Sequence, residues 1–246
     1  MKRQLAIATM ALLATSLFAG DKDDVQTAAK KLTQTGYSWK TTTQNAGGGG
    51  GGGNRGPGAT EGKFAKDGTM LITTTFGENT FETAVRGEKV VSKTPDGWKT
   101  PDEMNQAGGG QGGGQGGGRG RGMMGRMFAN YKHPALQAEN ILGKVQDLKK
   151  TDTAYVGDLT EEGAKELMTM GRGGRAGGQA PAAKDAKGSV KFWLKDGALT
   201  KVEYTVQGKM TGRNDQEIDV NRTTTVEFKE VGTTKVELPE DASKKL

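Results

Sequence analysis

Three glycine-rich stretches interrupt this chain and decide what it can fold into. Gly47 to Gly53 is an unbroken glycine run that continues through Asn54-Arg55-Gly56-Pro57-Gly58. A second stretch, 108–125, mixes glycine with Gln111, Gln115, Arg119 and Arg121, and a third, 171–188, carries Arg172, Arg175 and Pro181. Glycine loses more backbone freedom on ordering than any other residue, and these stretches bring almost no apolar surface to offset that loss. The sequence therefore predicts loops near 46–59, 107–126 and 171–188. With 41 glycines in 246 residues, the segments between the loops must supply the core.

Those segments show clear periodicity. Val25, Ala28, Ala29 and Leu32 are spaced for one face of a helix over 24–34, and 37–43 alternates and is rich in strand formers. Asp67-Gly68, Gly77-Glu78-Asn79, Gly87-Glu88 and Pro95-Asp96-Gly97 punctuate candidate strands at 62–66, 70–76, 80–86 and 89–94, as in an antiparallel meander. Pro134 suits the first turn of a helix, along which Ala138, Ile141, Leu142, Val145 and Leu148 follow at helical spacing. A short strand at 153–159 and a helix at 160–170, with Glu161 and Glu162 at its positive end, come next.

The last third alternates most cleanly. Val190, Phe192 and Leu194 share a face, Asp196-Gly197 turns the chain, and Val202, Tyr204 and Val206 oppose Lys201, Glu203 and Thr205. Thr224, Val226 and Phe228 oppose Thr225, Glu227 and Lys229, and Val236 and Leu238 read as a last strand ended by Pro239. A sheet with one greasy and one charged face is covered on one side only. The expected class is α+β: a curved antiparallel β-sheet, or half-barrel, with helices covering its concave face.

Lys2 and Arg3, an apolar run from Leu5 to Phe18, and Ala19-Gly20 before Asp21 have the parts of a secretory signal peptide, 1–20. The run is shorter than the ~20 apolar residues a membrane span needs; an uncleaved anchor or a buried amino-terminal helix is the other reading. The mature chain, 21–246, is then expected to be a single soluble domain, periplasmic or secreted. The absence of cysteine excludes disulfides, thiolate chemistry and a lipidated cysteine after the signal. The net charge of +6 is spread over interleaved basic and acidic residues, which does not point to nucleic acid.

Catalytic constellations are missing. His133, the only histidine, precedes a proline at a helix start, where a surface position near the cap is expected, and no Gly-x-Ser-x-Gly accompanies it. Gly120-Arg121-Gly122-Met123-Met124-Gly125 fits a dinucleotide fingerprint by accident of glycine content, since no strand leads into it. Asp21, Asp23 and Asp24 lack the ligand spacing of a calcium loop. No enzyme activity, cofactor or metal is expected, although a hydrolase built on carboxylates alone leaves no sequence trace. Arg55, Arg119, Arg121, Arg126, Arg172 and Arg175 border the glycine loops, where they either touch polyanions or keep the loops soluble. Met123, Met124, Met127 and Phe128, and Leu167, Met168 and Met170, suit an adaptable binding surface or the packing of a lid helix.

The ending Thr225-Val226-Glu227-Phe228-Lys229-Glu230-Val231-Gly232, then Val236-Glu237-Leu238-Pro239-Glu240-Asp241-Ala242, resembles the superfamily of the outer-membrane lipoprotein carrier and its lipid-binding lipoprotein relatives (LolA/LolB-like and LppX/LprG-like). So does the preceding 192–202 hairpin, and elsewhere the resemblance is one of topology. It implies a half-open barrel whose apolar hollow takes acyl chains under a helical lid. Each buried methylene is worth about 0.8 kcal/mol. Strand alternation offers Tyr37, Trp39, Phe76, Phe81, Phe192, Tyr204 and Phe228 as lining residues. Members of the family hold the lid with an arginine on an early strand, where this chain has only Lys40. The expected function is to bind or carry a lipid or lipid-modified partner; the alternative is a non-catalytic envelope protein whose Gly/Arg-rich loops contact anionic lipid or polysaccharide.

Overall fold

The computed structural model describes residues 11–46, 58–107, 131–170, 183–211 and 216–246, with side chains from Gly20 onward except those of Phe76, Asn105 and Ala107. Most of the three expected loops lies outside these residues.

The elements in chain order are α1 (Ala11–Thr33), β1 (Tyr37–Asn45), β2 (Thr60–Phe64), β3 (Met70–Phe76), β4 (Asn79–Arg86), β5 (Lys89–Thr94), β6 (Gly97–Lys99) and α2 (Pro101–Ala107). There follow α3 (Pro134–Leu142), β7 (Val145–Lys150), β8 (Tyr155–Leu159), α4 (Glu161–Thr169), β9 (Ala183–Lys195), β10 (Ala198–Thr211), β11 (Glu217–Lys229) and α5 (Glu240–Ser243). The strands form one eleven-stranded sheet in the order β6-β5-β4-β3-β2-β1-β11-β10-β9-β8-β7. With β6 and β7 at opposite ends of the order, the sheet is not closed into a barrel, and the class is α+β as expected.

The chain divides into two compact units, one of 1–31, 43–51 and 135–227, the other of 32–42, 52–134 and 228–246. In the first, β10 pairs with β9 on one side and β11 on the other. Val190, Phe192, Val202, Tyr204, Val206 and Val226 fall on its inner face and are at most 7% exposed. Helix α4 starts where the Thr160 hydroxyl accepts from the Gly163 amide at 3.0 Å, a side-chain cap for an otherwise orphaned donor. Its apolar stripe of Gly163, Ala164, Leu167 and Met168 is buried against β9 and β10.

Two expectations fail in this unit. The helical spacing read through Val145 and Leu148 stops at Leu142, and 145–150 is strand β7. Its register with β8 shifts between Gln146 and Lys149, and Asp147 sits at φ +45°. One extra residue in a strand lets residues three apart face the same way, so the bulge buries both Val145 and Leu148 and imitates a helix. The expected third loop also ends early, because 183–188 belongs to β9 and pairs with β10.

In the second unit the meander β2–β6 forms as its turn residues require. At Asp67-Gly68, the Asp67 carboxylate accepts from the Thr69 amide at 2.9 Å and Gly68 takes φ +84°; that hydrogen bond lowers the Asp67 pKa. One face carries Tyr37, Trp39, Phe64, Met70, Ile72, Val85 and Val90, all buried. The other carries Ala84, Val91 and Trp98, packed with Leu71, Leu238, Leu246 and Ala242 of α5. The expected last strand at Val236 and Leu238 is absent: β11 ends at Lys229, and 234–239 is not strand. Leu238 is half-buried by packing on a sheet face, which produces the same alternation without ladder hydrogen bonds.

β1 and β2 approach closely where Trp39 faces Gly62. A Cβ on Gly62 would stand 2.4 Å from two Trp39 ring carbons. Gly62→Ala should therefore destabilise the fold by about 1–3 kcal/mol through overpacking, seen as a lower urea midpoint with an unchanged denaturant slope.

Candidate functional site

Five of the seven aromatic candidates are core residues. Tyr37, Trp39, Phe192, Tyr204 and Phe228 are each at most 7% exposed; Phe81 is half-buried, and the Phe76 side chain lies outside the described residues. In the second unit the Tyr37 ring centre lies 5.2 Å from Phe64, 5.5 Å from Phe228 and 5.9 Å from Trp39. His133 joins this cluster rather than standing at the surface: its ring stacks on Phe64 at 4.3 Å, and its Nδ1 shares a 2.9 Å hydrogen bond with the Tyr37 hydroxyl. Phe64 and His133 were not legible as members, because only strand register brings Phe64 opposite Tyr37. The Trp39 indole Nε1 is buried with no hydrogen-bond partner among the described residues, a state that costs about 1–3 kcal/mol.

Phe192 and Tyr204 belong to the first unit, on the inner face of β9 and β10. On the same face Arg222, opposite Val206, donates from one guanidinium nitrogen to the Leu167 carbonyl and, at 3.5 Å, to that of Met168. These carbonyls lie in the last turn of α4, where acceptors are unsatisfied and the helix dipole is negative. Burial raises the Tyr204 pKa, against the opposing effects of Thr224 and Arg222. A helix-holding arginine thus comes from a late strand. Lys40, the only early candidate, instead pairs with Glu61 at 2.6 Å. The signal was present in the sequence: Arg222 shares the parity of Thr224, Val226 and Phe228, a charge set among inward positions.

Two open clefts lie elsewhere. One, of about 440 Å³ in the second unit, runs along Phe81, Ser92, Thr94 and Met104 with Glu82 and Lys93 at its edge. The other, of about 460 Å³ in the first unit, lies between Asp23, Asp24 and Thr27 of α1 and the 150–155 turn. There the Tyr155 hydroxyl donates to Asp24 at 2.7 Å and the Lys150 amide to Asp21 at 2.9 Å. Burial, then the bond to Asp24, raises the Tyr155 pKa. Of the six aromatic candidates whose side chains are described, only Phe81 touches either cleft. Among the described residues, no group of three or more His, Cys, Asp or Glu is placed to hold a metal ion.

Burial lowers the His133 pKa from 6.5 to about 4. As pH falls below 6.5, the unfolded chain takes up a proton that the folded chain refuses. The stability held above that value is therefore lost progressively towards pH 4. His133→Phe should remove this component: the fall in thermal midpoint between pH 6.5 and about 4 becomes shallower than in the parent, the carboxylates titrating alike in both.

No protein-family model matches the chain, and no curated protein matches it. Among solved structures it is similar to the crystal structure of a LolA superfamily protein from Nitrosomonas europaea, with 8% identity over 90% of this chain and 95% of that one and a TM-score of 0.29. The likeness is one of topology.

Proposed function

We propose that this is an exported, non-catalytic protein that holds an acyl chain of a lipid, or of a lipid-modified partner, on the inner face of β9–β11 beneath α4. The observation that carries this reading is the way α4 is held. Its amino-terminal end is anchored by the Thr160 cap and by the Thr160 amide donating to the Lys144 carbonyl at 2.8 Å. Its carboxy-terminal turn is tied to the sheet through Arg222. Between these ends, the helix covers the sheet with Leu167 and Met168, both at most 1% exposed.

The floor suits an exchange of occupants. Met168 Cε lies 3.0 Å from where a Cβ of Gly208 would stand, so methionine fills space that a missing side chain leaves. Unbranched and polarizable, methionine is readily displaced by another flexible apolar chain. Tilting α4 about Thr160 would withdraw Leu167 and Met168 together and leave Phe192, Tyr204 and Val206 to line the vacated groove. Each methylene seated there contributes about 0.8 kcal/mol. That gain is set against the loss of two charged hydrogen bonds at Arg222, worth about 1.5–3 kcal/mol each, so about four to eight methylenes offset them. Export rests on the amino-terminal pattern; no described helix is long and apolar enough to cross a membrane.

Delipidated protein titrated with a dansyl-labelled undecanoic acid tests this reading. Saturable binding with a blue-shifted emission is expected. Met168→Trp, filling the floor, should weaken it at least about tenfold, the scale of an occupied apolar subsite. Arg222→Leu should speed uptake by releasing the helix. If neither the parent nor Arg222→Leu binds the probe saturably while both keep the parent circular dichroism, the proposal is wrong.

A further inference from the structure

We infer that the outer face of β7–β9 docks on an anionic phospholipid bilayer, with Trp193 seated at its interface. Along β9 the outward positions read Lys187, Ser189, Lys191, Trp193 and Lys195, each inward neighbour from Ala186 to Phe192 being a small or apolar residue. The three lysines are exposed and stand about 13 Å apart along the strand. Lys191 is opposite Val156 of β8, and Val156 is opposite Lys149 of β7, which extends the cationic row sideways across an apolar residue.

Two features separate this patch from an ordinary solvated face. The carboxylate that neighbouring β10 brings alongside, Glu203 opposite Lys191, is engaged by Lys201 at 3.2 Å, and Lys184 and Lys209 share Glu217 beyond the row. Lys149, Lys187, Lys191 and Lys195 make no ion pair among the described residues. Within the paired ladder Asp158 is the one carboxylate on this face of β7–β9. Asp147, Asp185 and Asp196 all sit at positive-φ positions in a bulge, at the strand start and in the hairpin turn. The second feature is Trp193, half-buried with the Lys201 ammonium 4.2 Å from its ring centre. Trp39 and Trp98, by contrast, are core residues.

Ammonium groups around an amphipathic indole match lipid phosphates above an apolar boundary. Tryptophan prefers that depth, and each lysine near an anionic leaflet adds to the attraction. A soluble polyanion would use the lysines but leave Trp193 and Val156 without apolar contact. The inference is independent of the acyl-chain reading, since it concerns the opposite face of the sheet.

The test is partition of the full mature chain onto vesicles of phosphatidylcholine with and without about 30 mol % phosphatidylglycerol. Binding to the anionic vesicles alone is expected, with a blue shift of tryptophan emission that Trp193→Phe abolishes and a steep decline from about 0.05 to 0.3 M salt. The triple variant K187E/K191E/K195E should partition about 100-fold less strongly, while K184E/K209E stays near the parent. Equal partition onto neutral vesicles, or a triple variant of native circular dichroism that binds as the parent does, overturns the inference. So does lysine-dependent binding to dextran sulfate without binding to vesicles.

Discussion

The two-sided pairing of β10 is the constraint on which the first unit depends. A strand hydrogen-bonded along both edges has no backbone group left to direct elsewhere, so its side chains must divide strictly between two faces. Its partners inherit that division residue for residue: Val202 lies between Phe192 and Val226, and Tyr204 between Val190 and Thr224. From that ladder follow the apolar bed for α4, the inward placement of Arg222 and the outward row of lysines on β9. The register shifts after Leu199 and after Gln207 interrupt it without reversing it, because Met210 returns to the buried side.

Much of this was legible in the sequence, for a physical reason. Alternation and tight-turn glycines are local signals, and in a meander each strand pairs with its neighbour, so local signals suffice; β3, β4 and β5 run within a residue of where the periodicity puts them. The failures arise where two structures share one pattern. A bulge at Asp147 gave β7 a helical spacing, and the segment around Leu238 alternated because it lies on a sheet face, not because it pairs. The short helix α2 and strand β6 went unread, being too brief to show a period. Site residues were less legible still, since alternation separates inside from outside but not packed from hollow. Trp39 and Phe228 proved to be packed against Tyr37, and the residue with the most suggestive chemistry, Arg222, was a charge at an inward position.

The acyl-chain reading accordingly rests on a movable helix rather than on a standing cavity. A core filled by flexible side chains can trade them for a ligand of like chemistry at small net cost, because apolar surface is covered before and after. The guanidinium makes such a site two-valued, since its hydrogen bonds to α4 are either made or lost. Packed elements of this kind switch between arrangements instead of deforming continuously.

Helix α1 runs unbroken from Ala11 to Thr33 and so passes through the Gly20–Asp21 peptide bond at which the leader is expected to be cut. A peptidase needs its substrate backbone extended, and a residue cannot be helical and extended at once. Wherever such cutting occurs, it must come before α1 closes. If the chain is cut there, cutting and closure of α1 exclude one another, and a chain that closes α1 first would resist the cut.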